Sequence, residues 1–179
     1  MYKTIPDLLS FFRLGLAFVL PFTEPLSLIF LSIFLVCGLT DILDGMAARR
    51  FEACSEHGHT IDSISDTVLA VILLYCVIPV VSWEGWMVIW IAAIAIMRIV
   101  AFSIGSVKYG RPAFVHTYLN KVAGALLFLT PFLLVIVGAP VTIAVVCSVS
   151  SVSAVEYLYI NITSDHYDPD LTTVFTRMQ

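Results

Sequence analysis

Long apolar stretches follow one another along this chain with only short polar joints between them, and that pattern excludes most ways a chain can fold. Six spans are legible, roughly Leu8–Pro21, Leu26–Thr40, Ile64–Val81, Trp86–Ile104, Tyr118–Val137 and Val141–Ile160. A helix rises about 1.5 Å per residue, so about 20 apolar residues cross the roughly 30 Å hydrocarbon core of a bilayer. No long period-2 alternation argues for a membrane barrel. With 60% hydrophobic and 12% charged residues, the balance lies far from that of soluble domains. The expected fold is all-α: a polytopic membrane helical bundle of six transmembrane helices, one domain over residues 1–179.

The joints set the orientation. Phe22-Thr23-Glu24-Pro25, Ser82-Trp83-Glu84-Gly85 and Gly138-Ala139-Pro140 combine turn formers with little length and contain no lysine or arginine. All nine basic residues, Lys3, Arg13, Arg49, Arg50, Arg98, Lys108, Arg111, Lys121 and Arg177, fall in or toward the other joints and the termini. Cationic loops stay on the cytoplasmic side, so both termini are expected there, in the cell membrane. Trp83, Trp86 and Trp90 cluster toward the opposite interface, where indole rings settle. Arg13 interrupts the first apolar run and no convincing small-residue cleavage site precedes Glu24-Pro25, so this run is expected to be retained. The polar tail from Thr163 to Gln179 is expected on the cytoplasmic side.

Between the second and third spans lies the chemistry. Asp41 and Asp44 are three residues apart and Asp62 and Asp66 four apart, so on two helices each pair shares one face. Four carboxylates gathered at a membrane surface repel strongly unless divalent cations sit between them. Mg²⁺ or Mn²⁺ suits an all-oxygen site and can hold diphosphate oxygens in its remaining positions. Gly45 and Gly58 each cost a helix about 1 kcal/mol relative to alanine. Close approach of a nucleotide to the backbone is one compensating reason; close packing of membrane helices is another.

Taken in order, Asp41-Ile42-Leu43-Asp44-Gly45-Met46-Ala47-Ala48-Arg49, eight residues to Gly58, then Asp62 and Asp66, resembles the signature of the CDP-alcohol phosphotransferase (CDP-alcohol phosphatidyltransferase) family at every position. The resemblance implies that Asp41, Asp44, Asp62 and Asp66 hold two divalent ions, with Asp66 also the catalytic base. It implies that Gly45, Ala48, Arg49 and Gly58 contact a CDP-lipid such as CDP-diacylglycerol, with Ser55 a further contact. Pro6-Asp7-Leu8-Leu9-Ser10-Phe11-Phe12-Arg13 is similar to the family's PNxxTxxR pattern, with Asp7 in place of asparagine and Ser10 in place of threonine. An acid at residue 7 accepts a hydrogen bond but cannot donate an amide one. A homodimer is expected from the resemblance alone.

The acceptor alcohol is sought outside the motif. Arg98 lies inside an apolar span, where a charge is expensive and functional by default. Lys108, Arg111, His116 and Lys121 follow around the next cytoplasmic joint. Converging behind the aspartates, these groups would suit a phosphorylated alcohol; glycerol 3-phosphate fits best and an inositol phosphate also fits. The bland alternatives are topology-setting charges for Lys108 and Arg111, and snorkelling or pairing with Glu156 for Arg98. Asn120-Lys121-Val122 keeps only part of the GKxKT pattern of phosphatidylglycerophosphate synthases, which the chain otherwise resembles.

Other classes are disfavoured. Transporter sites lie near the bilayer midplane, often on broken helices, whereas these aspartates fall at the ends of two spans. Cys54, His57 and His59 offer one thiol and two imidazoles at loose spacing, too little to argue for zinc. No basic stripe marks a nucleic-acid partner. Cys37, Cys76 and Cys147 read as small apolar packers.

Overall fold

Helices account for nearly all of the computed structural model, which describes the backbone of residues 4–50, 56–113 and 117–164, and the side chains of 11–41, 65, 67–113 and 117–164. Five helices follow in order: α1 (Thr4–Val19), α2 (Leu28–Arg50), α3 (Glu56–Val77), α4 (Gly85–Tyr109) and α5 (Tyr118–Thr163). The chain divides into two units, Met1–Val81 and Ser82–Gln179. The polar tail expected beyond Ser164 lies outside the described residues.

In the first unit α1 packs against both α2 and α3. Ala17, Leu20, Phe30, Phe34 and Cys37 are all buried. A 3-10 turn at Leu20–Phe22 carries Pro21 and ends the first helix. Thr23 closes that turn, its Oγ1 donating to the Leu20 carbonyl at 2.7 Å. Ser27 then starts α2 by accepting the Phe30 amide on its hydroxyl at 3.2 Å, one of the donors a helix N-terminus leaves unpaired. The apolar span ends at Thr40 and α2 continues beyond it to Arg50, in keeping with the helical face expected for Asp41 and Asp44. Met46, Ala47, Ala48, Arg49 and Arg50 are good helix formers.

In the second unit α4 packs along α5. Trp86 donates to the Glu84 carboxylate at 2.7 Å just before α4, and Gly110 closes it in the left-handed conformation at φ 66°. Thr117 caps α5 by accepting the Asn120 amide at 3.1 Å. Met87, Ile143 and Cys147 form a buried cluster against which Trp90 and Ile94 rest.

Six helices were expected and five are seen, because the last two expected spans run together as the 46 residues of α5. Unbroken, that length would extend about 69 Å, more than twice the hydrocarbon thickness. It is not unbroken. Gly138, at φ 79° and ψ 169°, occupies a region open essentially to glycine alone and interrupts α5 at the expected Gly138-Ala139-Pro140 joint. Among the described residues two helices, α4 and α5, are long and apolar enough to cross a membrane; shorter apolar helical stretches cover Phe11–Phe22, Leu28–Asp41 and Thr67–Val80.

The exposed surface differs from that of a water-soluble protein. Phe22, Leu28 and Val107 are each more than 80% exposed, while Arg13, Thr142 and Asn161 are fully buried. Apolar side chains facing outward and polar ones facing inward are what a lipid solvent selects.

Candidate functional site

The four motif aspartates lie on two helices. Asp41, Asp44, Gly45, Ala48 and Arg49 are all on α2, and Gly58, Asp62 and Asp66 all on α3. Helical backbone at these positions gives each aspartate pair the shared face that the spacing predicts. Asp7 stands on α1. The side chains of Asp7, Asp44, Arg49, Asp62, Asp66, His57 and His59, together with all of Cys54, Ser55 and His116, lie outside the described residues.

Asp41 is described, and it has a partner that the sequence did not reveal. Arg13, from the middle of α1, is fully buried, and its Nη1 donates to Asp41 Oδ1 in an ion pair. The same guanidinium reaches α3: Nε donates to Ser65 Oγ at 3.2 Å and Nη2 to the same oxygen at 2.7 Å. Ser65 immediately precedes Asp66. One planar cation therefore touches the first aspartate of the motif and the neighbour of the last. A charge within an apolar helix persists only when paired, so Arg13 was the signal available in the sequence. Its partners lie 28 and 52 residues away in the chain, which no local pattern can reach.

Asp41 is half-exposed at its side chain, and no described residue engages its second oxygen, Oδ2. A carboxylate held by one oxygen and open at the other, one turn from Asp44 on the same helix, suits a hard, oxygen-seeking divalent cation. Among the described residues alone no three potential metal ligands gather.

The basic residues of the second unit occupy different levels. Arg98 is half-buried; Nη1 donates to Asn120 Oδ1 at 3.1 Å and Nη2 to Ser153 Oγ at 3.2 Å. It thus joins α4 to the parts of α5 before and after Gly138. Pairing with Glu156 is not formed, and Glu156 keeps Oε2 buried without a partner. Lys108 instead reaches the end of α5, its Nζ donating to the Ile162 carbonyl at 2.8 Å, where a cation complements the helix terminus. Ser153 and Ile162 are about 13 Å apart along the helix axis, so Arg98 and Lys108 do not form one tight cluster. Lys121 is exposed, 5.5 Å from the centre of the Tyr118 ring, and Arg111 is exposed just beyond Gly110.

Ala113, shortly after α4, is held by both its backbone groups, and the end of α4 is tied to the end of α5. Tyr157 Oη donates to the Ala113 carbonyl at 2.5 Å, the Ala113 amide donates to Ser106 Oγ at 3.4 Å, and Tyr109 Oη donates to the Ser164 carbonyl at 2.9 Å.

A sequence profile described as CDP-alcohol phosphatidyltransferase matches residues 3–160, which contain both helices of the aspartate motif and all of Arg98 to Lys121. The chain belongs to the CDP-alcohol phosphatidyltransferase family. Over 73 residues it is 44% identical to a protein named cardiolipin synthase (CMP-forming) from Rattus norvegicus, covering 39% of this chain and 24% of that protein. Over 109 residues it is 33% identical to a CDP-diacylglycerol–glycerol-3-phosphate 3-phosphatidyltransferase from Pectobacterium atrosepticum, covering 58% of each. The chain thus spans between about a quarter and about three-fifths of the curated relatives it matches. No solved structure matches.

Family membership gives the aspartates their chemical context. A CDP-alcohol phosphatidyltransferase is a phospholipid-biosynthetic transferase whose family is typically metal-dependent, and carboxylate residues on α2 and α3 are of the type that suits a hard divalent cation.

Proposed function

We propose that this chain transfers a phosphatidyl group from CDP-diacylglycerol to the hydroxyl of a small phosphorylated alcohol, glycerol 3-phosphate, and releases CMP. The observation that carries the reading is the complete aspartate motif on two consecutive helices within a chain of this family.

Asp41, Asp44, Asp62 and Asp66 would hold two divalent ions, Mg²⁺ or Mn²⁺. When bound, such ions offset charge on the diphosphate. Gly45, Ala48, Gly58 and Arg49 line the CDP side, with Ser55 and Asp7 as further contacts. Asp66 takes the proton from the acceptor hydroxyl. The acceptor oxygen attacks the lipid-side phosphorus, the phosphoanhydride bond breaks, and its electron pair leaves with CMP. Arg98 receives the acceptor phosphate, and Lys108, Arg111 and Lys121 contribute positive charge along its approach rather than direct contacts to the same group. The reading includes six spans, counting α5 as two, with both termini and the site on the cytoplasmic face, and a homodimer.

Glycerol 3-phosphate is favoured by the half-buried Arg98 and by the name of the bacterial relative. A second reading has its own observation, the 44% identity to a cardiolipin synthase. Cardiolipin is diphosphatidylglycerol, so forming it by the same transfer needs phosphatidylglycerol as acceptor. The deciding assay supplies purified protein with CDP-diacylglycerol and Mn²⁺ or Mg²⁺, and separately glycerol 3-phosphate, phosphatidylglycerol, inositol phosphate, inositol and serine. CMP release that depends on glycerol 3-phosphate is the expected result. Dependence on phosphatidylglycerol selects the second reading, and no acceptor-dependent CMP from any of the five rejects the transferase. Cation flux through liposomes carrying the protein, with no CDP-lipid present, would favour a transporter instead.

A further inference from the structure

We infer that Arg13 is a positioning residue for the metal-binding aspartates, a fixed cation that sets the orientation of Asp41 and the rotation of α3. The inference rests on the reading of Asp41 as a metal ligand.

Arg13 is fully buried, and its guanidinium is a rigid planar fork, so the positions of its partners are set together. On α2 it holds Asp41 by Oδ1, which leaves Oδ2 as the oxygen available to a cation. On α3 it directs two donors at one hydroxyl, Ser65 Oγ, which is also buried. Successive residues on a helix are turned by about 100°, so pinning Ser65 toward α1 fixes where its neighbours point. Asp66 is then turned by about 100° from Ser65 and Asp62 by about 60° to the same side, about 40° apart from one another. The Ser65 contact thus fixes the rotation of the helix that carries both aspartates. Groups that orient metal ligands from behind are worth roughly 10–100-fold in metal affinity when removed.

An opposite expectation exists on electrostatic grounds, because deleting a cation beside the cluster should draw a divalent ion in more tightly. Orientation and charge therefore predict opposite signs, and the measurement separates them. Purified full-length wild type, Arg13→Gln, Arg13→Lys, Ser65→Ala and Asp44→Asn would each be titrated with Mn²⁺, following free Mn²⁺ by its paramagnetic resonance signal, with helicity and monodispersity as folding controls. The expected result is affinity reduced about 10–100-fold in Arg13→Gln. Arg13→Lys should recover part of it, since an ammonium restores the charge but not the fork. Ser65→Ala should lose roughly 2–10-fold, keeping the Asp41 contact while freeing α3. With saturating CDP-diacylglycerol, the half-saturating Mn²⁺ concentration should rise in the same order.

Unchanged or tighter Mn²⁺ binding in Arg13→Gln overturns the inference, provided Asp44→Asn loses the ion. Should Arg13→Gln fail to fold, Arg13→Lys and Ser65→Ala decide on the same criterion. A folded wild type that binds no Mn²⁺ beyond the level of Asp44→Asn overturns the metal reading itself, and the inference with it.

Discussion

Gly105 on α4 is the position where a single methyl group tests the packing of α4 against Ala113 and Asn161. A Cβ added there would stand 2.6 Å from Ala113 Cβ and 2.7 Å from Asn161 Cγ, with the Asn161 oxygen closer still. Both neighbours are buried and hydrogen-bonded, so a shift of either has a cost. Ala113 is buried, with its carbonyl held by Tyr157 and its amide by Ser106. Asn161 is buried, and its Nδ2 donates to the Tyr157 carbonyl at 3.0 Å. Gly105→Ala therefore forces the carboxamide out of place and shifts the 113 segment. Overpacking of this kind costs about 1–3 kcal/mol and the displaced hydrogen bond about 1 kcal/mol. Alanine returns about 1 kcal/mol through helix propensity, leaving a net loss of about 1–3 kcal/mol. For a chain of this size that lowers the thermal midpoint by roughly 2–10 °C. The assay is thermal unfolding of detergent-solubilised protein, followed by tryptophan fluorescence and by helicity. Removing the obstructing carboxamide with Asn161→Ala should reduce the cost of Gly105→Ala by at least about 0.5 kcal/mol, the mark of residues in contact. Gly105→Ala as stable as the wild type, or costs that simply add in the double variant, would refute the packing argument.

Three further outcomes are expected. Asp66→Asn should abolish CMP release while retaining CDP-lipid binding and the wild-type thermal midpoint; wild-type turnover in this variant would remove Asp66 from the base role. Arg98→Gln should raise KM for the phosphorylated acceptor about tenfold or more and leave KM for CDP-diacylglycerol near its wild-type value, because a lost charge-assisted hydrogen bond is worth roughly 1.5–3 kcal/mol. Chelation with EDTA should stop turnover, Mg²⁺ or Mn²⁺ should restore it, and activity persisting through chelation would contradict the aspartate reading.

The sequence carried the spans and missed what ties them together, for a physical reason. Hydropathy reports the environment of each residue, so Leu28–Asp41, Thr67–Val80 and the apolar body of α4 were visible from composition alone. Turn chemistry also survived folding: Pro21 and Pro79 sit in 3-10 turns that end helices, and Gly138 makes the backbone excursion its neighbours cannot. The aspartate motif was legible because its spacing is local and helical. Arg13 was visible only as an anomaly, since its partners Asp41 and Ser65 arrive by tertiary packing. Trp90 was read as an interfacial ring, and in the structure its Nε1 also donates to Ser151 Oγ at 3.0 Å, a contact across 61 residues.

The two arginines inside the helices show how one side chain can do two jobs. Between helices in lipid there is little hydrophobic driving force, so polar contacts and close packing carry association. Each unit has an arginine on its first helix that reaches two later segments: Arg13 reaches α2 and α3, and Arg98 reaches α5 on either side of Gly138. Their partners differ in charge. Arg13 is fully buried and paired with the carboxylate of Asp41, so much of its positive charge is already answered. Arg98 is only half-buried and rests on an amide and a hydroxyl, with no described carboxylate within ion-pair distance. Neutral partners orient a guanidinium without cancelling its field, and a low-dielectric surround weakens that field less than water does. An anionic group arriving from the polar side gains more from Arg98 than from Arg13. That difference separates the two arginines: Arg13 is committed to its carboxylate partner, and Arg98 keeps more of its field for an incoming anion.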